Sequence, residues 1–172
     1  GVPPLATIEA MVNLDMVGRL RENRLSVMGV GTSPEFPALL QAVNAAVPSA
    51  RFDLKTSEDG YGPSDQQSFY KKNLPVLMLF TGAHTDYHKP SDDTEKINFP
   101  GVVEVLDFAR RLIERLDEVP KLKFQETKAK QEDTPSFKVT LGIMPDYVWD
   151  GVGVHVDGVT TGRAGEKAGL LK

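Results

Sequence analysis

The chain of 172 residues contains no cysteine, one tryptophan and three histidines. The lack of cysteine excludes disulfides, thiol nucleophiles and zinc sites built from thiolates. No apolar run approaches the roughly 20 residues that a membrane-spanning helix needs, and no signal peptide is visible. The net charge of −4 contains no long block of one sign, so the basic surface typical of nucleic-acid-binding proteins is missing.

The hydrophobic content of 40% is adequate for a core, and the length suits one domain or somewhat more. Apolar runs predict buried strands at residues 10–17, 25–30 and 76–80, with a weaker strand at 52–55. Helices are predicted from Ser33, from Ser64 and from Asn98. The third shows helical spacing of its apolar residues: Val102, Val103, Leu106, Ala109, Leu112, Ile113 and Leu116. This order predicts an α/β layered domain with a mixed sheet.

Composition predicts three regions along the chain. The α/β domain covers residues 1–118, and residues 119–136 read as a polar linker rich in Lys, Glu, Gln, Asp and Pro. Residues 137–172 form a glycine-rich module with a predicted strand at 152–156 and a short helix that ends on Gly169. Because 36 residues are few for an independent core, we expect this module to be incomplete.

The richest stretch for chemistry is TGAHTDYHKPSDD at residues 81–93, directly after the apolar run 76–80. Polar groups just past the carboxyl end of a buried strand are where α/β sheets place ligand sites. Imidazole and carboxylate together suit zinc, so this cluster is a candidate metal site. Asp92 or Asp93 is the candidate to accept a hydrogen bond from the ring N–H of His88 that does not face the metal.

Asp15 interrupts the first predicted strand, where an unpartnered buried carboxylate is unfavourable. It either caps the following turn or binds a cation. His88 and Asp15 both lie at or just beyond the carboxyl ends of predicted strands, so the two are expected to converge. Tyr87 is either a half-buried packing residue or a group that a loop turns towards the metal.

Four motifs in order resemble the di-zinc aminopeptidases, whose fold class includes glutamate carboxypeptidases and glutaminyl cyclases. They are NLDMVGR at 13–19, GPSDQQSF at 62–69, NLPVLMLFTG at 73–82 and YHKPSD at 87–92. The resemblance covers roughly residues 1–117. It implies that Asp15 binds one zinc ion and His88 the other, that Tyr87 donates a hydrogen bond to the oxyanion, and that Asp65 contributes to substrate binding. It also implies substrates that are peptides with a free amino terminus.

The family's remaining ligands, a His-x-Asp pair and a Glu-Glu pair with the general base, have no counterpart before Asp15. We therefore expect the chain to be the carboxyl-terminal part of a catalytic domain that binds two zinc ions when intact. Alone, the chain is expected to bind zinc weakly or not at all and to be inactive. Two alternatives are a non-catalytic scaffold relative and a single-zinc glutaminyl cyclase.

The motifs KVTLGIM at 138–144 and GRAGEKAGL at 162–170 resemble the start of a PDZ domain of the bacterial protease type. That resemblance implies that Leu141, Gly142 and Ile143 form a loop that binds the carboxyl terminus of a peptide. A different small glycine-rich β module is the alternative. By analogy with proteins that combine these two parts, we expect export to the bacterial periplasm or cell envelope. An incomplete module would expose a sheet edge, so pairing into a homo-oligomer is a further expectation.

Overall fold

A computed structural model describes residues 3–46, 52–127, 141–145 and 152–170 of the chain. The chain divides into two compact units. The first comprises residues 1–81 and 98–130, and the second comprises residues 82–97 and 131–172.

The first unit contains a four-stranded mixed sheet, as predicted. Its strands are β1 (Met11–Leu14), β2 (Arg24–Met28), β3 (Asp53–Ser57) and β4 (Val76–Phe80), in the spatial order β1-β4-β2-β3. The β1–β4 and β2–β3 pairs are parallel, whereas β2 and β4 are antiparallel. All five residues of β4 are buried, because β4 has a neighbouring strand on each side and apolar side chains throughout.

Three helices accompany this sheet: α1 (Phe36–Ala46), α2 (Gln66–Tyr70) and α3 (Phe99–Asp117). Helices α1 and α3 pack against each other, while α2 contacts β1 and β4. The prediction that the first helix begins at Ser33 is wrong by about one turn. The Ser33 hydroxyl donates to the Glu35 carboxylate (2.5 Å), so it does not cap the helix that begins three residues later.

The inward face of α3 is only partly the predicted one. Ala109 and Leu112 are buried, whereas Val103, Leu106 and Ile113 of the same pattern are exposed. The other buried positions of the helix, Gly101, Val105 and Phe108, were not part of the pattern. The buried face is therefore shifted around the helix from the predicted apolar face.

Asn98 caps α3, as predicted, and also joins the helix to the chain after β1. Its side-chain oxygen accepts a hydrogen bond from the N–H of Gly101 (3.0 Å), and its amide nitrogen donates to the carbonyl of Leu20 (2.9 Å). We expect Asn98→Ala to lower the free energy of unfolding by about 1–2 kcal/mol, the usual cost of losing an N-cap. Asn98→Ser keeps a capping oxygen and loses only the amide donor. In urea unfolding it should therefore be the milder variant, and equal losses would contradict the capping role.

The chain after α3 packs onto the first unit, although its composition indicated the start of a linker. Leu122 and Thr127 are buried, and the Gln125 N–H donates to the carbonyl of Thr32 (2.8 Å). The Thr127 N–H donates to the hydroxyl of Tyr70 (2.9 Å). Spaced apolar and hydroxyl residues in a mainly charged segment supply these contacts. The remainder of the predicted linker, 128–136, lies outside the described residues.

The second unit contains a short hairpin and one helical turn in its carboxyl-terminal part. Strands β5 (Ile143–Pro145) and β6 (Val156–Val159) are antiparallel, and α4 spans Ala164–Lys167. The predicted strand at 152–156 is wrong for residues 152–155, because the left-handed Gly153 (φ 89°) interrupts the extended backbone. Gly169 (φ 79°) follows α4 as predicted. Residues 137–140, 146–151 and 171–172 of the predicted module lie outside the described residues.

Candidate metal-binding site

Asp15 lies at the carboxyl end of β1, as predicted. Its N–H donates to the carbonyl of Leu79 in β4 (3.1 Å), which extends the parallel ladder by one residue. Met16 then adopts a left-handed conformation (φ 51°), and Val17–Arg19 form a 3-10 turn. The half-buried Asp15 side chain therefore projects where the chain leaves the sheet.

Three polar side chains support the Asp15 carboxylate. The Ser64 hydroxyl donates to Asp15 Oδ2 (2.6 Å), and Asn13 Nδ2 donates to Ser64 Oγ (2.8 Å) and to Gln66 Oε1 (3.2 Å). Asn13 and Asp15 are two positions apart, so the strand period of two places them on the same face of β1. Ser64 therefore contacts one oxygen of the Asp15 carboxylate, Oδ2.

The two residues that flank segment 82–97 are both fixed on the turn after Asp15. Thr81 Oγ1 donates to the carbonyl of Met16 (2.5 Å) and accepts from the N–H of Arg19 (3.3 Å). At the other end, the N–H of Asn98 donates to the carbonyl of Gly18 (2.9 Å). Thr81 and Asn98 are therefore both held within the first unit.

Segment 82–97 has its own polar contacts. Asp86 Oδ1 accepts from the Ser91 hydroxyl (2.7 Å) and from Lys96 Nζ (2.5 Å). Asp92 Oδ2 lies 3.7 Å from Nε2 of His84. Asp93 accepts from the N–H of Thr94 (2.7 Å) and so caps the 3-10 turn at Thr94–Lys96. These contacts occupy Asp92 and Asp93, and their assignment as partners of His88 stays a prediction.

Tyr87 and His88 stack on each other at the exposed surface of this segment. Their ring centroids are 3.9 Å apart and the ring planes meet at 20°. His88 has a φ of 55°, an unusual conformation for a residue with a β-carbon, which turns its side chain away from the alternation of an extended chain. Tyr87 and His88 therefore do not alternate as in an extended strand, and a shared role for them stays a prediction.

The donor types match zinc, although the described residues do not assemble a complete site. A carboxylate and an imidazole are both common zinc ligands. Within the described ranges, no three His, Asp or Glu side chains gather closely enough to hold a metal ion. Asp65 is exposed just before α2, and its side chain does not cap that helix. The roles of Asp15, Asp65, Tyr87 and His88 stay predictions.

The predicted carboxylate-binding loop lies at the start of β5. Gly142 has a φ of 68°, and its carbonyl accepts from the N–H of Thr160 (2.7 Å). The carbonyl of Leu141 accepts from the N–H of Gly165 (2.7 Å). These bonds connect the loop to β6 and α4, and peptide binding by Leu141, Gly142 and Ile143 stays a prediction.

A family model described as peptidase family M28 matches residues 2–113. The chain belongs to peptidase family M28. That match spans Asp15, the Ser64 segment, β4 and His88, which are the parts whose motifs resembled the di-zinc aminopeptidases. A comparison with curated protein sequences found no match. No helix among the described residues of this M28 chain is long and apolar enough to cross a membrane.

Solved structures resemble this M28 chain in fold. Two crystal structures of LapA from Legionella pneumophila, one described as an aminopeptidase, each match with a TM-score of 0.52 and 20% identity over 63% of this chain. An aminopeptidase from Aneurinibacillus sp. strain AM-1 matches with a TM-score of 0.49 and 20% identity over 71% of this chain. The matches cover 31%, 32% and 28% of those proteins. The chain thus spans about a third of the length of its structural relatives.

Sequence reasoning gave no site role to Asn13, Ser64, Gln66 or Thr81 of this M28 chain, although each lies within one of the four motifs. Asn13 lies two positions before Asp15 on the same strand, and that spacing was a usable signal. The contacts of the other three residues had no signal, because they join segments far apart in sequence.

Proposed function

We propose that this M28 chain is the carboxyl-terminal part of the catalytic domain of a zinc aminopeptidase. The supporting observation is the family match over residues 2–113, combined with the half-buried carboxylate of Asp15 at a strand end. Ser64 holds one oxygen of that carboxylate, as a hydrogen-bonding neighbour commonly does for a metal ligand.

In this proposal Asp15 and His88 each bind zinc, and Tyr87 donates a hydrogen bond to the oxyanion formed during hydrolysis. Asp65 contributes to binding of the substrate. When bound, zinc in such a site lowers the pKa of a coordinated water and polarises the scissile carbonyl. The substrate class is peptides with a free amino terminus, in keeping with the description of LapA as an aminopeptidase.

Zinc binding and turnover test the proposal on two lengths of chain. We expect the 172-residue chain alone to show no micromolar zinc affinity by calorimetry and no turnover of an aminoacyl chromogenic substrate, because two ligands are fewer than a catalytic zinc site needs. Expression of the full coding sequence should restore turnover. His88→Ala should then abolish it, whereas the control His155→Ala, outside the family match, should retain it.

Three results would count against this function. Turnover by the 172-residue chain alone would show that the upstream ligands are unnecessary. Upstream sequence without the His-x-Asp and Glu-Glu pairs would indicate a non-catalytic scaffold. One zinc ion per full-length protein, with cyclisation of amino-terminal glutamine, would indicate a cyclase.

A further inference from the structure

Four polar side chains beside the end of β1 form a continuous series of hydrogen bonds. The series runs from Gln66 through Asn13 and Ser64 to Asp15, with donor–acceptor distances of 3.2, 2.8 and 2.6 Å. Gln66 is 1% exposed, so the inner end of the series is fixed within the packed first unit. The outer end is the carboxylate proposed as a zinc ligand.

The chemistry of the groups sets the direction of every bond in this series. An ionised carboxylate only accepts hydrogen bonds, so the single hydroxyl proton of Ser64 must point to Asp15. Ser64 Oγ then has only lone pairs to offer Asn13, which must present its NH2 group. The second proton of that NH2 group requires an acceptor, which is Oε1 of Gln66.

The side-chain amide of Gln66 has an orientation that its bond to Asn13 explains. Turning Oε1 towards Asn13 leaves Nε2 of Gln66 buried without a hydrogen-bond partner among the described residues. A buried unsatisfied donor is unfavourable by about 1–3 kcal/mol. Gly62 gives this amide its space, since a β-carbon there would lie 2.5 Å from Nε2. Gln66 keeps this orientation although its Nε2 is unpaired within the described part of the chain. The hydrogen bond from the NH2 group of Asn13 therefore determines the orientation.

We propose that Asn13 is a positioning residue that keeps the Ser64 hydroxyl donating to Asp15 Oδ2, with Gln66 as its anchor. The consequence of this positioning for zinc binding rests on the proposed function, in which Asp15 is a zinc ligand. Holding Oδ2 fixes the plane of the carboxylate and so the direction in which Oδ1 points. Asn13 acts on Asp15 only through Ser64.

Asn13→Asp separates this positioning role from simple packing. The new carboxylate is nearly isosteric, and Gln66 can rotate its amide to donate through Nε2, which in the wild type has no partner among the described residues. The Ser64 proton then has two carboxylates to choose between, so its bond to Asp15 weakens. Asn13→Ala removes the NH2 group without adding a competing acceptor, so Ser64 can still donate to Asp15, though less rigidly.

The test is a double-mutant cycle between Ser64→Ala and Asp15→Ala, measured as shifts in the urea midpoint of the 172-residue chain at pH 7 without metal. In the wild type, Ser64→Ala should shift the midpoint more when Asp15 is present than when it is absent. This difference between the two shifts should be largest in the wild type, smaller in Asn13→Ala and smallest in Asn13→Asp. In Asn13→Asp it should be less than half of the wild-type value. An undiminished difference in Asn13→Asp would overturn the proposal. If Asn13→Asp does not fold, an undiminished difference in Asn13→Ala would overturn it.

A second measurement distinguishes failure of this inference from failure of the proposed function. In the full-length protein, Asn13→Asp should weaken zinc binding roughly tenfold or more, the usual effect of losing a partner of a metal ligand. A wild-type full-length protein that binds no zinc would overturn the proposed function and leave the midpoint cycle unaffected. Zinc binding that is equal in wild type and Asn13→Asp would overturn only the positioning role.

Discussion

Phe108→Ala is expected to lower the free energy of unfolding by about 3–5 kcal/mol, the range for removing a fully buried phenylalanine. Phe108 is 0% exposed on the inward face of α3. Its ring meets that of Phe52 edge-on, with centroids 5.5 Å apart and an interplanar angle of 87°. Truncation removes this aromatic contact and leaves a cavity between α3 and the chain entering β3. Urea unfolding followed by circular dichroism measures the loss.

Phe99→Ala is the matched control, because it makes the same truncation at the start of the same helix. Phe99 is 59% exposed, so little buried apolar surface is lost. Its free energy of unfolding should change by no more than about 1 kcal/mol, as for surface substitutions in general. Comparable losses in the two variants would mean that the inward face of α3 is assigned incorrectly.

Thr32→Val is expected to lower the free energy of unfolding by about 3 kcal/mol, although valine has nearly the same shape. The buried Thr32 hydroxyl accepts from the N–H of Val76 (2.9 Å) and contacts the carbonyls of Gly29 (2.7 Å) and Val76 (3.0 Å) as donor. The antiparallel pairing of β2 with β4 runs only from residue 78 to residue 80 of β4. The hydroxyl therefore pairs with the N–H and the carbonyl of Val76, which lies beyond the end of the β2–β4 pairing. Valine leaves them buried and unpaired, at about 1–3 kcal/mol for each group.

Thr32→Ser separates the hydroxyl from the methyl group. Serine keeps the hydrogen bonds and loses one buried methyl group, for which a loss of about 1 kcal/mol is expected. Chemical denaturation should rank the wild type first, then Thr32→Ser, then Thr32→Val. A Thr32→Val variant as stable as Thr32→Ser would show that the hydroxyl contributes little.

Helix α3 shows where pattern reasoning succeeds and where it stops. Its cap at Asn98 and its helical course as far as Leu116 were predictable, because capping residues and helical spacing are local properties of the sequence. Its inward face was only partly predictable, because its apolar residues cover more of the helix surface than is buried, and Val103, Leu106 and Ile113 are exposed. Which of them enter the core depends on α1 and the rest of the core, which no local window of sequence contains.

In the candidate site, too, single motifs were predictable from the sequence, whereas the contacts between them were not. The motif around Asp15 was visible because a carboxylate in an apolar strand is unusual, and the segment around His88 was visible because its polar residues are dense. The bond from Ser64 to Asp15 joins residues 49 positions apart, and the bond from Gln66 to Asn13 joins residues 53 apart. Contacts between residues so far apart in sequence produce no periodic pattern from which they could be predicted.

By itself, the sequence determined the mixed α/β class, the extent of β4, the cap of α3 and the order of motifs that resembles the di-zinc aminopeptidases. Each of these follows from the preferences of neighbouring residues or from the spacing of residue types within a short motif. Only the tertiary structure decided which apolar residues of α3 are buried, that residues 119–127 pack within the first unit, and how Asn13 and Ser64 hold Asp15. Those features depend on segments that meet only after folding, when a side chain's partners are set by the packing of the whole unit.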